Sequence, residues 1–128
     1  MTEFLSVGWI GMGRMGAPMV EKIIKAGYKV SIWNRTKSKA EPLEKLGAQL
    51  VNAPSDLATV DVLFTMVSTG ADLKEVYFGD KGVMSTELSP SILVDRSSIG
   101  AEDSTEMREK IRQRRCEFLA APVSGNGK

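Results

Sequence analysis

The chain has 128 residues, enough for one complete hydrophobic core and one domain, with 17 Lys plus Arg against 16 Asp plus Glu, no His and one Cys. Lacking histidine, it can build no Ser-His-Asp triad, Cys-His pair or His-based metal site, and the lone Cys116 forms neither an internal disulfide nor a thiolate cluster. A formal net charge of +1 gives no general attraction to nucleic acid or membranes, and 42% apolar with 26% charged residues is the composition of a folded globular domain.

The apolar stretch from Phe4 to Ile10 is too short to span a membrane and lacks the basic start of a signal peptide. The expected setting is therefore reducing and cytoplasmic, with no metal and with neither membrane nor nucleic acid as a partner. Leu5-Ser6-Val7-Gly8-Trp9-Ile10 reads as a buried strand, and Gly11 to Gly16 as a glycine-rich turn. Met15, Met19 and Ile23, with Val20 and Ile24 beside them, recur at helical spacing and predict a helix stopped by Gly27. Pro18 is read as falling in the first turn, where its missing N–H has no partner to lose. Tyr28 to Trp33 alternates and predicts a second strand ending at Asn34-Arg35-Thr36, with Thr36 as a cap for a helix through Ala40 and Leu43 to Leu46.

Gly47 stops that helix, and a short strand follows near Gln49 to Val51. Ser55 opens a brief helical turn, and Asp61 to Val67 is an almost continuous apolar run of the kind that forms central parallel strands. Asp72 to Phe78 reads as helix, Ser91 to Asp95 as strand, Ala101 to Arg115 as a charged surface helix and Phe118 to Val123 as a final strand. Strands separated by helices of these lengths predict parallel pairing with right-handed crossovers, hence an α/β fold with a Rossmann-like doubly wound parallel sheet.

Gly11-Met12-Gly13-Arg14-Met15-Gly16 fits G-x-G-x-x-G, a weak pattern by itself in a chain with 12 glycines. Its context is more telling: a strand directly before, an amphipathic helix after, and a second strand ending about 20 residues on. The first glycine allows the tight turn, the second lets a pyrophosphate approach the backbone, and the third lets helix and strand pack closely. The helix N-terminus offers free N–H groups and a positive dipole end to the phosphates. The bland alternative is a structural turn with incidental glycines.

Dinucleotide sites for NAD place Asp or Glu at the end of the second strand to hold the ribose 2′-hydroxyl, and that carboxylate repels a 2′-phosphate. Here the residues are Asn34, Arg35 and Thr36, with Lys37 and Lys39 nearby, all able to donate to a phosphate. A charge-assisted hydrogen bond contributes about 1.5–3 kcal/mol, so Arg35 predicts NADP over NAD by roughly tenfold to a hundredfold. The alternative makes Arg35 a solvated surface residue. Met12, Met15, Met19 and Met66 are read as core packing rather than a soft metal site. Arg108, Arg112, Arg114 and Arg115, interleaved with Glu106 and Glu109, are read as a solvated helix face, and Cys116 as the buried start of a strand.

Five segments occur in order across the chain: Gly8-Trp9-Ile10-Gly11-Met12-Gly13-Arg14-Met15-Gly16, Lys25-Ala26-Gly27, Trp33-Asn34-Arg35-Thr36, Val94-Asp95-Arg96-Ser97-Ser98 and Ala121-Pro122-Val123-Ser124-Gly125. Together they resemble the β-hydroxyacid dehydrogenase family, which includes 3-hydroxyisobutyrate dehydrogenase, 6-phosphogluconate dehydrogenase and the glyoxylate/succinic semialdehyde reductases. The resemblance implies that residues 11–16 hold the pyrophosphate and that Asn34, Arg35 and Thr36 hold the adenosine ribose and its phosphate, with Lys39 adding positive charge nearby. It implies that Met66, Val67 and Ser68 border the cofactor, that Ser97 and Ser98 lie near the nicotinamide, and that Ser124 and Gly125 bind a small carboxylic-acid substrate. Read without the family, Ser97 and Ser98 cap the next helix.

Where the family often has an acidic residue before Ala-Pro-Val-Ser-Gly this chain has Ala120, and its usual second glycine after the serine is Asn126, a form that leans toward the glyoxylate/succinic semialdehyde reductases. The family's catalytic lysine belongs to a later helix in a context this chain does not contain, so no residue here is assigned that role, Lys128 included. Residues 1–128 are thus expected to be an NADP-binding Rossmann domain truncated at the substrate loop, whose intact protein transfers hydride to or from a small acid and forms homo-oligomers through a helical domain. The rival expectation is a non-catalytic dinucleotide-binding or assembly module.

Overall fold

A computed structural model of the protein describes residues 6–11, 13–67, 69–96, 101–114 and 116–120, with residues 13–15, 101–104 and 120 described in backbone only. Strands and helices alternate: β1 Ser6–Ile10, α1 Gly13–Lys25, β2 Lys29–Trp33, α2 Lys37–Glu44, β3 Gln49–Leu50, β4 Val62–Thr65, α3 Gly70–Phe78, β5 Ile92–Asp95, α4 Ala101–Arg112 and β6 Glu117–Ala120. A 3₁₀ turn, Pro54–Leu57, follows β3 where Ser55 signals it. All pairings are parallel, and the strand order is β3-β2-β1-β4-β5-β6.

The order follows from burial. Successive side chains of a strand point to opposite faces, so a strand covered on both sides must be apolar throughout. In β1, Val7 and Trp9 enter one core with Val20 of α1, Val30 and Ile32 of β2, and Ala40 and Leu43 of α2. Ile10 enters the opposite core with Leu63, Leu93, Leu73 and Tyr77 of α3, and Met107 and Ile111 of α4. The same alternation sends Leu63 of β4 to one core and Phe64 to the other, where its ring stacks on Trp9 at 5.3 Å between centroids. Helices α1 and α2 therefore cover one face, and α3 and α4 the other. The chain leaves β1 in both directions, toward β2 and toward β4, and the crevice between β1 and β4 at their carboxyl ends is the place where such sheets bind ligands.

Three local expectations change. Helix α1 starts at Gly13, inside the glycine motif, so Pro18 sits in its second turn and supplies no N–H to the carbonyl four residues back. Helix α2 ends at Glu44 rather than Leu46, because Gly47 at φ +119° reverses the chain, its N–H bonding to Glu44 O while that of Ala48 bonds to Leu43 O. Arg114 is no part of a solvated basic face: its guanidinium donates to the carbonyls of Met84 at 2.9 Å, Leu88 at 3.2 Å and Thr86. It pins the segment between α3 and β5. The exposed Arg108 and Arg112 do fit a solvated face, Arg115 lies outside the described residues, and Cys116 is buried directly before β6. Met19 and Met66 pack against the α1/α2 core as expected, whereas Met12 and the Met15 side chain lie outside the described residues.

Among the described residues no helix is long and apolar enough to cross a membrane.

Candidate functional site

The crevice at the switch point is built from the turn after β1. Gly11 has φ +95°, and a Cβ there would lie 2.0 Å from Met66 O, so only glycine lets the end of β1 run this close to the end of β4. The turn is held by Gly11 N–H on Trp33 O at 3.2 Å, Met66 N–H on Ile10 O at 2.9 Å, and the Trp9 indole N–H on Gly11 O at 2.6 Å. A Cβ on Gly16 would meet Gly11 O at 2.9 Å, which is why α1 can seat its first turns directly on the turn. Helix α1 begins at Gly13, two residues after Gly11, and a helix start offers N–H groups without intrahelical partners and the positive end of the dipole.

Beside it lies a cleft of about 260 Å³, which the ends of three strands line: Ile10 and Gly11 after β1, Trp33, Asn34, Arg35 and Thr36 after β2, and Met66 and Val67 after β4, with Lys39 of α2 and Asp72 and Val76 of α3 closing it. Its lining combines the apolar side chains of Ile10, Met66, Val67 and Val76 with two cations, Arg35 and Lys39, and one carboxylate, Asp72. That combination fits an adenosine with phosphate groups: an apolar slot for a base, and charge-assisted donors for the phosphate oxygens. The Asn34 side-chain N–H donates to Thr36 O at 2.8 Å and fixes the loop after β2. Thr36 occupies the N-cap position of α2 without a side-chain capping bond. Lys37 turns aside to Asn52 Oδ1 at 3.1 Å, leaving Lys39 as the lysine of the cleft.

Of the residues expected from sequence, the fold brings Gly11, Asn34, Arg35, Thr36, Lys39, Met66 and Val67 to this one cleft. Gly13 and Gly16 are in the opening turns of α1 beside it. Met12, Ser68, Ser97, Ser98, Ser124 and Gly125, and the side chains of Arg14 and Met15, lie outside the described residues.

The sequence reading missed Trp33, Val76 and Asp72. Trp33 closes β2 with its indole N–H on Asn52 O at 3.3 Å. Asp72 Oδ1 lies 3.1 Å from the Arg35 guanidinium, with side-chain exposures of 30% and 67%. Thr69, the N-cap of α3, accepts from the Asp72 backbone N–H at 3.1 Å, and this T-x-x-D spacing marks a helix start without revealing that its carboxylate reaches the cleft.

Behind the ends of β4 and β5 three polar groups are buried together. Thr65 Oγ1 donates to Asp95 Oδ1 at 3.1 Å and contacts the Tyr77 hydroxyl at 2.7 Å. Burial, and secondarily the charge of Asp95, pushes the Tyr77 phenol well above its ordinary range.

The family described as the NAD binding domain of 6-phosphogluconate dehydrogenase matches residues 6–128. Glyoxylate/succinic semialdehyde reductase 2, chloroplastic, of Arabidopsis thaliana is 39% identical over 125 residues, covering 97% of this chain and 35% of that protein. Cytokine-like nuclear factor N-PAC of Homo sapiens is 36% identical over 121 residues, 94% of this chain and 22% of that protein. Among solved structures, the 3-hydroxyisobutyrate dehydrogenase of Mycobacterium tuberculosis with L-serine superposes at a TM-score of 0.84 and 26% identity, covering 96% of this chain and 42% of that one. The chain therefore spans less than half the length of these relatives. The family match starts at the first residue of β1 and runs to Lys128, and the chain belongs to this family, that of the NAD(P)-binding domains of hydroxyacid dehydrogenase-like oxidoreductases.

Proposed function

We propose that residues 1–128 form the NADP-binding domain of an oxidoreductase that transfers hydride between NADP(H) and a small β-hydroxy acid or aldehyde acid, glyoxylate/succinic semialdehyde-like or 3-hydroxyisobutyrate-like. The observation that carries this reading is the cleft at the switch point, where Arg35 and Lys39 flank an apolar slot. The bound dinucleotide supplies the hydride chemistry. The residues of this chain bind and orient it: the Gly11 backbone and the α1 N-terminus hold the pyrophosphate, Asn34, Arg35, Thr36 and Lys39 hold the adenosine ribose and its 2′-phosphate, and Met66 and Val67 border it.

In the intact protein the substrate acid is held by Ser124 and Gly125, Ser68, Ser97 and Ser98 flank the cofactor, and the proton is moved by the family's lysine on a helical domain through which the protein forms homo-oligomers. A cytoplasmic setting is part of the same proposal. Titration with NADPH and NADH, followed by quenching of the fluorescence of Trp33, tests the cofactor half of the proposal; Arg35→Ala should weaken NADPH severalfold, by up to about tenfold, and NADH little. Equal affinity of the unmutated protein for both would refute the preference. Oxidation of NADPH by glyoxylate or succinic semialdehyde, in a form carrying the lysine-bearing domain, tests the reaction.

A second reading, a dinucleotide-binding or assembly module without catalysis, is favoured by the likeness to N-PAC, a protein named as a nuclear factor rather than as an enzyme. A natural second domain in which that lysine is replaced, together with binding of NADPH without turnover by the intact protein, would decide for it.

A further inference from the structure

The end of β2 lacks the acidic residue that receives a ribose 2′-hydroxyl in NAD sites, yet the cleft does contain a carboxylate. Asp72 comes from the first turn of α3, on the far side of the crevice, and its Oδ1 sits 3.1 Å from the Arg35 guanidinium. The two residues are 37 positions apart, so their meeting is a product of the fold. We propose that Asp72 is a specificity-determining residue of the adenosine subsite. Its carboxylate takes the place of the acidic residue missing from β2, accepts the ribose 2′-hydroxyl of NAD(H), and competes with a 2′-phosphate for Arg35. The site therefore accepts both dinucleotides, with NADP(H) favoured only modestly.

The electrostatics point the same way. Arg35 and Asp72 cancel within the cleft, which leaves Lys39 as its net positive charge. A 2′-phosphate arriving at Arg35 must share one guanidinium with a carboxylate already bonded to it, and two anions on one cation in a water-like dielectric oppose each other enough to change an affinity about tenfold. A 2′-hydroxyl brings no charge and gains an acceptor. The Thr69 cap on the Asp72 backbone N–H holds the first turn of α3 independently of the side chain, so the carboxylate can be neutralised without unwinding the helix.

This inference rests on the reading of the cleft as a dinucleotide site, and its test separates the two. The probes are adenosine 2′,5′-bisphosphate and adenosine 5′-monophosphate, which differ only in the 2′-phosphate, titrated calorimetrically at low ionic strength against the unmutated protein, Asp72→Asn and Arg35→Ala. The unmutated protein should favour the bisphosphate by less than about tenfold, D72N should raise that ratio about tenfold, and R35A should bring it to about one. A ratio unchanged in D72N but lowered in R35A would overturn the role of Asp72 while leaving the phosphate reading intact. A ratio unchanged in R35A, or no binding of either nucleotide, would overturn both. Should D72N lose the native circular dichroism spectrum, Asp72→Ser, which keeps a helix-starting side chain, carries the same expectation and the same refutation.

Discussion

The buried hydroxyl chain beneath the cleft makes an asymmetric prediction. A threonine hydroxyl has one proton, and Thr65 gives it to Asp95 Oδ1 at 3.1 Å, so in the 2.7 Å contact the Tyr77 phenol must be the donor. The order is Tyr77 to Thr65 to Asp95. Tyr77→Phe removes the donor at the head of the chain and leaves the bond to Asp95 in place, a loss of about 1 kcal/mol. Thr65→Val has nearly the same shape but strands the Tyr77 O–H, at about 1–3 kcal/mol, and removes a bond to a charged acceptor, at about 1.5–3 kcal/mol. Its total is about 2.5–6 kcal/mol, a large share of the roughly 10 kcal/mol that holds a domain of this size. In urea, with m near 2 kcal/mol/M, T65V should lower the unfolding midpoint by about 2 M and Y77F by about 0.5 M. The double variant should lose about 1–3 kcal/mol less than the sum, since no phenol remains to be stranded. A Y77F loss as large as that of T65V, or strict additivity, would refute the assigned direction of the chain.

Alkaline pH should reveal the same burial. Burial pushes the Cys116 thiol from its ordinary 9.0 up to about 11, and pushes Tyr77 well above 10.0. Both groups hold their protons more tightly folded than unfolded, so their contribution is complete below the ordinary values and is lost as pH rises through the folded ones. Urea midpoints should stay level up to pH 9.0 and then fall, with Cys116→Ser flattening the region to about 11 and Y77F the region above 10.0. Gly11→Ala puts a Cβ 2.0 Å from Met66 O at a positive φ; a loss of about 3 kcal/mol or more together with loss of nucleotide binding is expected in denaturation and calorimetry. Arg114→Ala should cost about 1–2 kcal/mol and speed hydrogen exchange between Met84 and Leu88, whose carbonyls it holds, while the exposed Arg112→Ala stays within about 0.5 kcal/mol.

Legibility in this sequence follows the range of the interactions that decide each feature. The sheet was readable because burial on both faces imposes continuous apolar runs, and Val7, Trp9 and Ile10 carry that constraint locally. The glycine turn was readable because Gly11 and Gly16 answer to atoms a few residues away or at the next strand end. The start of α1 was misread because proline favours first turns, and Pro18 drew the boundary past Gly13. That preference is a statistical consequence of a missing N–H, and it yields where the surrounding packing fixes the helix.

The features missed altogether depend on pairs of distant residues. Arg114 resembles any basic residue near a helix end until the loop after α3 folds under it, and Thr65 lies inside an apolar run whose one buried hydroxyl needs Tyr77 and Asp95, from two other elements, to be tolerated. Asp72 matters most for function. A rule that looks for an acidic residue at the end of β2 asks which side chain the local chain supplies, whereas the ribose would meet whatever carboxylate stands in the cleft. Here the first turn of α3 meets the loop after β2, so the charge at that end of the cleft is shared between two elements. Cofactor preference is then a property of the Arg35–Asp72 pair and of neither residue alone.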